Sequence, residues 1–315
     1  MFRLQVLDSV DSTNEVIKRA IEDDEPEGLA IRSYRQTGGY GRQGRAWESP
    51  RGGMYESILL RPQVDMRELP TLALVVALAV RRALASLVVE DQARRIRIKW
   101  PNDVVLVGGD FGVDYSTCGT APELAGHAPC SDSPALENSP LGCSRRAELR
   151  AAHAHQAQEP HASWTNAPSI KNLYSKLAGI SSEVHSGGIC VGIGVNVEPP
   201  EDAMEVGGKN APAYLADLGF GFTCEREAAI NAVGDAVLHE FEPLYRRWCD
   251  GGFAALSGEF AEHSMLEGRF VRMANQLGEV VCEGTVRGVD ASGRLLLRLE
   301  DGETKAVASG EVHLL

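Results

Sequence analysis

The sequence predicts an α/β unit with a small all-β module behind it, and three observations lead there. Helix-like and strand-like segments alternate from the N-terminus to about residue 107. The pattern stops between about 108 and 170 and resumes at Leu173. From Gly268 to Leu315 only short strands and turn signals remain, which suggests a small β-barrel.

Thr13 to Ile21 has the spacing of a short amphipathic helix, with Asp11-Ser12 as N-cap residues. Leu29 to Tyr34 is a strand, a glycine-rich loop runs from Gly38 to Gly44, and Met54 to Leu60 is a second strand. Pro70 to Val89 reads as a long apolar helix with proline in its first turn. Arg97 to Lys99 and Val104 to Val107 are short strands around the turn Pro101-Asn102-Asp103. The stretch 108–170 is rich in Ala, Ser, Pro, His and Gly and poor in Ile, Val and Phe, so it is expected to be a disordered insertion. Tyr174 to Val184 and Ile189 to Val197 form a strand pair turning at His185-Ser186-Gly187-Gly188. Glu225 to Trp248 has helical periodicity, and Phe253 to His263 is another helix candidate. Three turns divide the last module, at Asn275 to Gly278, Asp290 to Gly293 and Glu300 to Gly302. The expected division is 1–267 and 268–315.

Composition narrows the function classes. The chain has 315 residues, 43% apolar and 24% charged, as globular proteins do, with a net charge of −13. That balance argues against a general affinity for nucleic acid or anionic membrane. The apolar stretch Leu69 to Val80 closes on Arg81 and Arg82, too short for a transmembrane helix. The N-terminus has neither the pattern of a secretory signal nor that of a transit peptide; cytosol is the expected compartment, with the mitochondrion left open. The seven cysteines include no CxxC pair and fit reduced thiols, and their spacing to nearby histidines matches no zinc pattern.

Five segments carry chemistry. In Gln36-Thr37-Gly38-Gly39-Tyr40-Gly41-Arg42-Gln43-Gly44-Arg45, glycines admit a ligand to the backbone while Arg42 and Arg45 offer permanent charge to phosphate or carboxylate. Trp47 adds a flat face for a base, or serves as a core or lid residue. In Lys99-Trp100-Pro101-Asn102-Asp103, lysine can neutralise a phosphate and Asp103 can hold a metal or accept a proton; the plain alternative is a capped turn. Lys176-Leu177-Ala178-Gly179-Ile180 sets a lysine beside small residues that leave room for a ligand, or is a strand edge in water. Gly192-Ile193-Gly194-Val195-Asn196 places two glycines in a strand, a sign of close approach. Ser12-Thr13-Asn14 offers hydroxyls, an amide and helix N-terminal N–H groups, or is an ordinary N-cap.

Taken in order, these segments resemble biotin protein ligases, which carry Ser-Thr-Asn, an Arg-rich glycine loop, Lys-Trp-Pro-Asn-Asp, Lys-Leu-Ala-Gly-Ile and Gly-Ile-Gly-x-Asn. The resemblance covers roughly residues 5–107 and 171–315. It implies a mixed sheet with helices packed on one side and a C-terminal SH3-like barrel. This chain departs from the pattern at Tyr40, where arginine is usual, at Gln43, and at Ala46, where lysine is frequent. These departures bear on loop dynamics and adenylate retention. No helix-turn-helix segment stands ahead of Ser12, so the DNA-binding role of some members, and binding to duplex DNA, are expected to be absent.

The resemblance also implies a reaction. Biotin is activated by ATP with Mg2+ to biotinyl-5′-AMP and passed to a lysine of biotin carboxyl carrier domains. Lys176, Arg42, Lys99 and Asp103 are the implied catalytic residues. Ser12, Thr13, Asn14, Gln36, Gly39, Tyr40, Gly179, Gly192 and Gly194, with Arg42 and Lys176, are implied to bind biotin. Arg45, Trp47, Asn102 and Asn196, with Arg42, Lys99, Asp103 and Lys176, are implied to surround the adenylate. No metal is expected to be fixed by the protein alone, and a homodimer is left open. A lipoate or octanoate transferase of related fold is one alternative; the arginine loop together with Lys99-Trp100-Pro101-Asn102-Asp103 argues against it. A non-enzymatic biotin sensor is another; the phosphate-directed cations argue against that.

Since loop-closure entropy grows slowly with length, deleting 111–168 and joining the ends through a short Gly/Ser linker is expected to leave biotin-dependent pyrophosphate release nearly intact. Stability should change by about 1 kcal/mol or less. A folded deletion variant without that activity would show that the insertion belongs to the site.

Overall fold

Seven strands build the larger sheet in the computed structural model, which describes residues 2–108, 173–200, 212–221, 225–275 and 277–315. They are β1 (Arg3–Leu7), β2 (Leu29–Ser33), β3 (Gly53–Leu60), β4 (Ile96–Lys99), β5 (Asp103–Val107), β6 (Tyr174–His185) and β7 (Gly188–Asn196), in the order β1-β2-β3-β7-β6-β5-β4. β1 and β2 run parallel and every other pair is antiparallel, so the sheet is mixed. The parallel pair needs a crossover, which helix α1 (Thr13–Glu22) supplies. β1 is the one strand the sequence reading passed over. It is a short edge strand whose residues remain largely exposed, so it lacks the apolar signature of its neighbours.

Alternation along each strand divides the sheet into two unlike faces. On β7, Ile189, Val191, Ile193 and Val195 enter the main core, whereas Cys190, Gly192, Gly194 and Asn196 alternate with them. On β3, Met54, Ile58 and Leu60 point the same way as the β7 core residues. Against this face pack α2 (Leu72–Ser86) and α4 (Arg226–Gly251). α2 is apolar almost all round because it lies between the sheet and α4. The segment Leu69–Ser86 is long and apolar enough to cross a membrane by composition, but ten residues of α2 are buried in this core instead.

The mixed sheet and its helices match the expectation, with one difference of placement. The two long helices lie on one face, but α1 packs Ile17, Ala20 and Ile21 against Leu29, Ile31, Leu59 and Cys190 on the opposite face. Its apolar stripe needs a partner, and the other face is already filled by α2 and α4. The predicted helix from Pro70 begins as a single 3-10 turn, Leu69–Thr71, and stops at Ser86; a short α3 (Glu90–Ala93) follows. The candidate at Phe253 to His263 divides likewise into a 3-10 turn, Phe253–Ala255, and α5 (Ser257–His263). The insertion expected at 108–170 lies outside the described residues apart from Gly108.

Five antiparallel strands follow: β8 (Phe270–Ala274), β9 (Val280–Val289), β10 (Leu295–Arg298), β11 (Thr304–Val307) and β12 (Glu311–Leu314), in the order β11-β10-β9-β8-β12. All three predicted turns fall between strands, and each is held by a side chain. Asn275 Oδ1 accepts from the N–H of Leu277 and Glu279, Asp290 Oδ1 from Ser292 and Arg294, and Asp301 Oδ1 from Glu303. Val271, Met273, Val286, Leu295 and Leu297 join the same core as the larger sheet.

Beneath α4, a buried ion pair ties β2 to β3. Arg32 and Glu56 are register partners, and Arg32 Nε donates to Glu56 Oε2 at 2.7 Å with both residues 0% exposed. Arg32 Nη1 reaches Asp235 at 2.9 Å on α4. Burial raises the Glu56 carboxyl above its ordinary range, and Arg32 opposes that shift. α4 can cross here only through Gly234, where a Cβ would lie 2.3 Å from the Arg32 guanidinium carbon. Gly234→Ala is therefore expected to destabilise the fold by about 1–3 kcal/mol through overpacking. Gly258→Ala on α5, where a Cβ meets nothing within 4 Å, should be neutral or stabilise by up to about 1 kcal/mol. Urea unfolding of the two variants checks the opposite signs.

Candidate active site

Opposite the packed core, the sheet offers a floor almost without side chains. Gly179 on β6 and Gly194 on β7 are register partners, as are Ser181 and Gly192. The indole of Trp47 lies on this floor: a Cβ would come 2.9 Å from its ring at Gly179 and 2.8 Å from its Nε1 at Gly194. Gly192 makes similar room for Asn14, whose Oδ1 would lie 2.4 Å from a Cβ there. The floor opens into a cleft of about 1330 Å3.

One end of the cleft is neutral and tightly hydrogen-bonded. The Thr13 N–H and hydroxyl both donate to Gln36 Oε1, at 2.8 and 3.0 Å. Ser57 Oγ lies 2.7 Å from Thr13 Oγ1 and 2.6 Å from Asn14 Oδ1. Gln36 Nε2 donates to Ser49 Oγ at 2.9 Å. Each amide and hydroxyl is thus fixed in orientation before any ligand arrives, which suits recognition of a small polar ring.

The other end is cationic. Lys176 Nζ sits 2.7 Å from Asp103 Oδ1 and 4.9 Å from the centre of the Trp47 ring. Asp103 Oδ1 is buried, so this ion pair is sheltered from water. Lys99 is 9% exposed, with its ammonium 5.4 Å from the Tyr174 ring centre. Arg42 Nη1 donates to Asn102 Oδ1 at 2.8 Å. Burial lowers the affinity of Arg42 for its proton, Asp103 opposes this and Arg45 adds to it, yet a guanidinium remains charged. Three cations thus face one partly desolvated cleft, where their charge is felt more strongly than in water.

Residues 39–47 form a small hairpin over this end. Trp47 N–H donates to Gly39 O at 2.9 Å and Gly41 N–H to Arg45 O at 2.8 Å, with Tyr40 facing Ala46. A single 3-10 turn, Arg42–Gly44, makes the tip, where Gln43 takes φ 60° and Gly44 φ 68°. The smaller sheet supplies the far wall through Ser309, Gly310, Glu311 and His313, and Arg45 pairs with Glu311.

Of the residues singled out in the sequence, Thr13, Asn14, Gln36, Tyr40, Arg42, Arg45, Trp47, Lys99, Asn102, Asp103, Lys176, Gly179, Gly192 and Gly194 all line this cleft. Ser12, Gly39 and Asn196 stand behind it. Ser12 is buried at the start of α1, Gly39 packs on Ser49 and Gln36, and Asn196 Nδ2 donates to Lys176 O at 3.0 Å, steadying the strand that carries the lysine. The sequence reading missed Ser57, Ser181 and the wall from the smaller sheet. The serines were legible only as the positions alternating with core residues on β3 and β6; nothing local marks the wall. Among the described residues no three His, Cys, Asp or Glu side chains form a metal site.

Gly194→Ala should drive the Trp47 indole off the floor into solvent. With Trp164 replaced by phenylalanine in every variant, acrylamide quenching of tryptophan fluorescence should increase, and the increase should vanish in a Trp47→Phe background, because Trp100 and Trp248 are buried at 1% and 0% exposure. Unchanged quenching would show that the floor accommodates a methyl group.

Comparison with known proteins agrees with this geometry. A model described as "Biotin/lipoate A/B protein ligase family" matches residues 6–111, and one described as "Biotin protein ligase C terminal domain" matches 268–315. The "Bifunctional ligase/repressor BirA" of Bacillus subtilis is 33% identical over 98% of this chain and 72% of its own length. The "Biotin--[acetyl-CoA-carboxylase] ligase" of Mycobacterium tuberculosis is 24% identical over 99% of this chain and 89% of its own. The fold is similar to that of the biotin protein ligase of Aquifex aeolicus solved with biotin and ATP, with TM-score 0.62, 23% identity, and 100% and 99% of the two chains covered. With both modules matched in order and a relative of this identity spanned over most of its length, the chain belongs to the biotin protein ligases.

Proposed function

We propose that this chain activates biotin with ATP to biotinyl-5′-AMP and transfers biotin to a lysine of biotin carboxyl carrier domains. The observation that carries this reading is the meeting of Arg42, Lys99 and Lys176 at one end of a glycine-floored cleft whose other end is neutral and pre-bonded. A ligand with a polar ring at one end and an anionic group at the other fits that division.

In the first step a carboxylate oxygen attacks the α-phosphorus and pyrophosphate leaves. Two anions must meet, so cations fixed beforehand lower the barrier most. Lys176 leaves Asp103 to contact the reacting carboxyl oxygens, and Arg42 and Lys99 take the phosphates. Mg2+, if carried by the nucleotide, would add charge neutralisation there. Asp103 and Glu311 are the carboxylates lining the cleft, and Glu311 is paired with Arg45, so Asp103, once Lys176 has turned to the substrate, would be its protein ligand. In the second step the acceptor amine attacks the acyl carbon and AMP leaves. Asp103 then accepts the proton that the amine must lose, a reading supported by its position in the cleft lining. The hairpin 39–47 keeps water from the mixed anhydride.

Pyrophosphate release with biotin, compared with lipoate or octanoate, tests the substrate class; release with lipoate instead of biotin would overturn it. Lys176→Ala should lose about 2–4 kcal/mol of transition-state stabilisation, roughly 30- to 1000-fold in single-turnover adenylate formation. Arg42→Gly should instead let formed adenylate escape, seen as biotin transfer to an unrelated albumin. Wild-type adenylate formation by Lys176→Ala, or full retention by Arg42→Gly, would refute the respective role.

A further inference from the structure

The hairpin 39–47 is held together by few bonds of its own, and an isolated two-stranded hairpin is marginal in water. Its order therefore depends on outside contacts: the Trp47 indole lies on the sheet floor, and among the described residues three hairpin side chains reach polar partners elsewhere. Arg42 holds Asn102, Arg45 holds Glu311, and Tyr40 holds α1. The first two use cations that, on the ligase reading, turn to phosphates when ligand binds. The third is anchored on Glu15, Lys18 and Glu183, which do not line the cleft.

That tether is a compact charged network. Tyr40 Oη donates to Glu15 Oε1 at 2.5 Å and accepts from Lys18 Nζ at 2.7 Å. Lys18 Nζ also lies 2.7 Å from Glu183 Oε2 on β6 and 5.1 Å from the Tyr40 ring centre. Glu15 and Lys18 are one helical turn apart on α1, the helix whose first residues, Thr13 and Asn14, line the neutral end of the cleft. At this position the resemblance leads one to expect arginine, which could not accept from Lys18 and would repel it. The hydrogen bond from Tyr40 lowers the Glu15 pKa, and burial pushes the Tyr40 phenol up to about 12, so at neutral pH the phenol keeps the proton it donates.

We propose that Tyr40 is a positioning residue for adenylate retention: its phenol docks the hairpin on α1 through Glu15, Lys18 and Glu183 while Arg42 and Arg45 exchange protein partners for ligand. This rests on the ligase reading for its consequence, but not for the docking itself.

Two measurements separate the parts. In the ligand-free protein, amide hydrogen exchange at Gly41 and Trp47 should speed up in Tyr40→Phe by about 10- to 150-fold, the range for loss of one hydrogen bond to a charged group. Lys18→Met should do the same, and the double variant should add nothing further. In the presence of biotin and ATP, Lys18→Met should release adenylate faster by a similar factor while forming it at a rate within about twofold of wild type, because Lys18 lies outside the cleft lining and no transition-state contact is lost. Unchanged exchange, or additive effects of the two substitutions, would overturn the docking role. Faster exchange with unchanged adenylate release would overturn the link to retention. If Tyr40→Phe does not fold, Lys18→Met alone is held to the same expectations. Exchange needs no substrate, so a wild-type protein that makes no adenylate would tell against the ligase reading and leave the docking result standing.

Discussion

The close approach that β6 and β7 permit on one face of the sheet is the constraint from which the site follows. A sheet normally buries both faces or solvates one. Here one face is filled by α2 and α4 down to near-zero exposure, and the other carries glycines where side chains would stand. Trp47 can lie flat because Gly179 and Gly194 are register partners, and Asn14 can cross β7 because Gly192 lacks a Cβ. Removing side chains costs the strands packing and backbone entropy. The opposite face offsets that cost with Ile189, Val191, Ile193 and Val195 on the same strand. A single segment of alternating residues thus serves as anchor on one side and floor on the other.

Electrostatics explain how an acidic protein holds an anion-directed site. The net charge of −13 is spread over the surface, while Arg42, Lys99 and Lys176 converge on one cleft. At rest these cations are not left to repel one another. Asp103 holds Lys176, Asn102 holds Arg42, and the ring of Tyr174 faces Lys99. Exchanging such partners for ligand oxygens costs less than bringing solvated cations into the cleft, because most desolvation has already been borne on folding. The buried pair Arg32–Glu56 on the far face answers a different need. It has no access to the cleft and ties strands to α4, so burial of charge alone does not mark chemistry here.

How much was legible in the sequence depended on how locally each feature is determined. The helices from Thr13, Leu72 and Arg226 follow from spacing and were read to within a few residues, as were the Asx-held turns of the smaller sheet. The motif residues were legible because glycines and cations at fixed spacing are unusual in strands. What escaped depends on tertiary placement. β1 is an exposed edge, and its pairing to β2 is visible only once α1 has crossed. The face chosen by α1 follows from the occupation of the other face. Asn196 sits inside a motif yet works from behind, holding the backbone of Lys176, a distinction that no spacing conveys.

The smaller sheet illustrates the same dependence at longer range. Trp100, within the motif Lys99 to Asp103, is buried and donates its indole N–H to Gly293 O at 2.9 Å, on the turn between β9 and β10. Gly293 takes φ 75°, and a Cβ there would come 3.0 Å from Thr71 and Leu74 at the start of α2. That turn is therefore wedged between the strand end that carries Lys99 and the helix that packs the core. Glu311, two strands further on, holds Arg45 from the cleft side. A chain lacking residues 268–315 would lose both contacts, leaving Trp100 with an unpaired buried donor and the hairpin with one tether fewer. The matched C-terminal region is thus part of the site's construction, since the cation-bearing turn and the glycine-rich hairpin each take one of their fixed points from it.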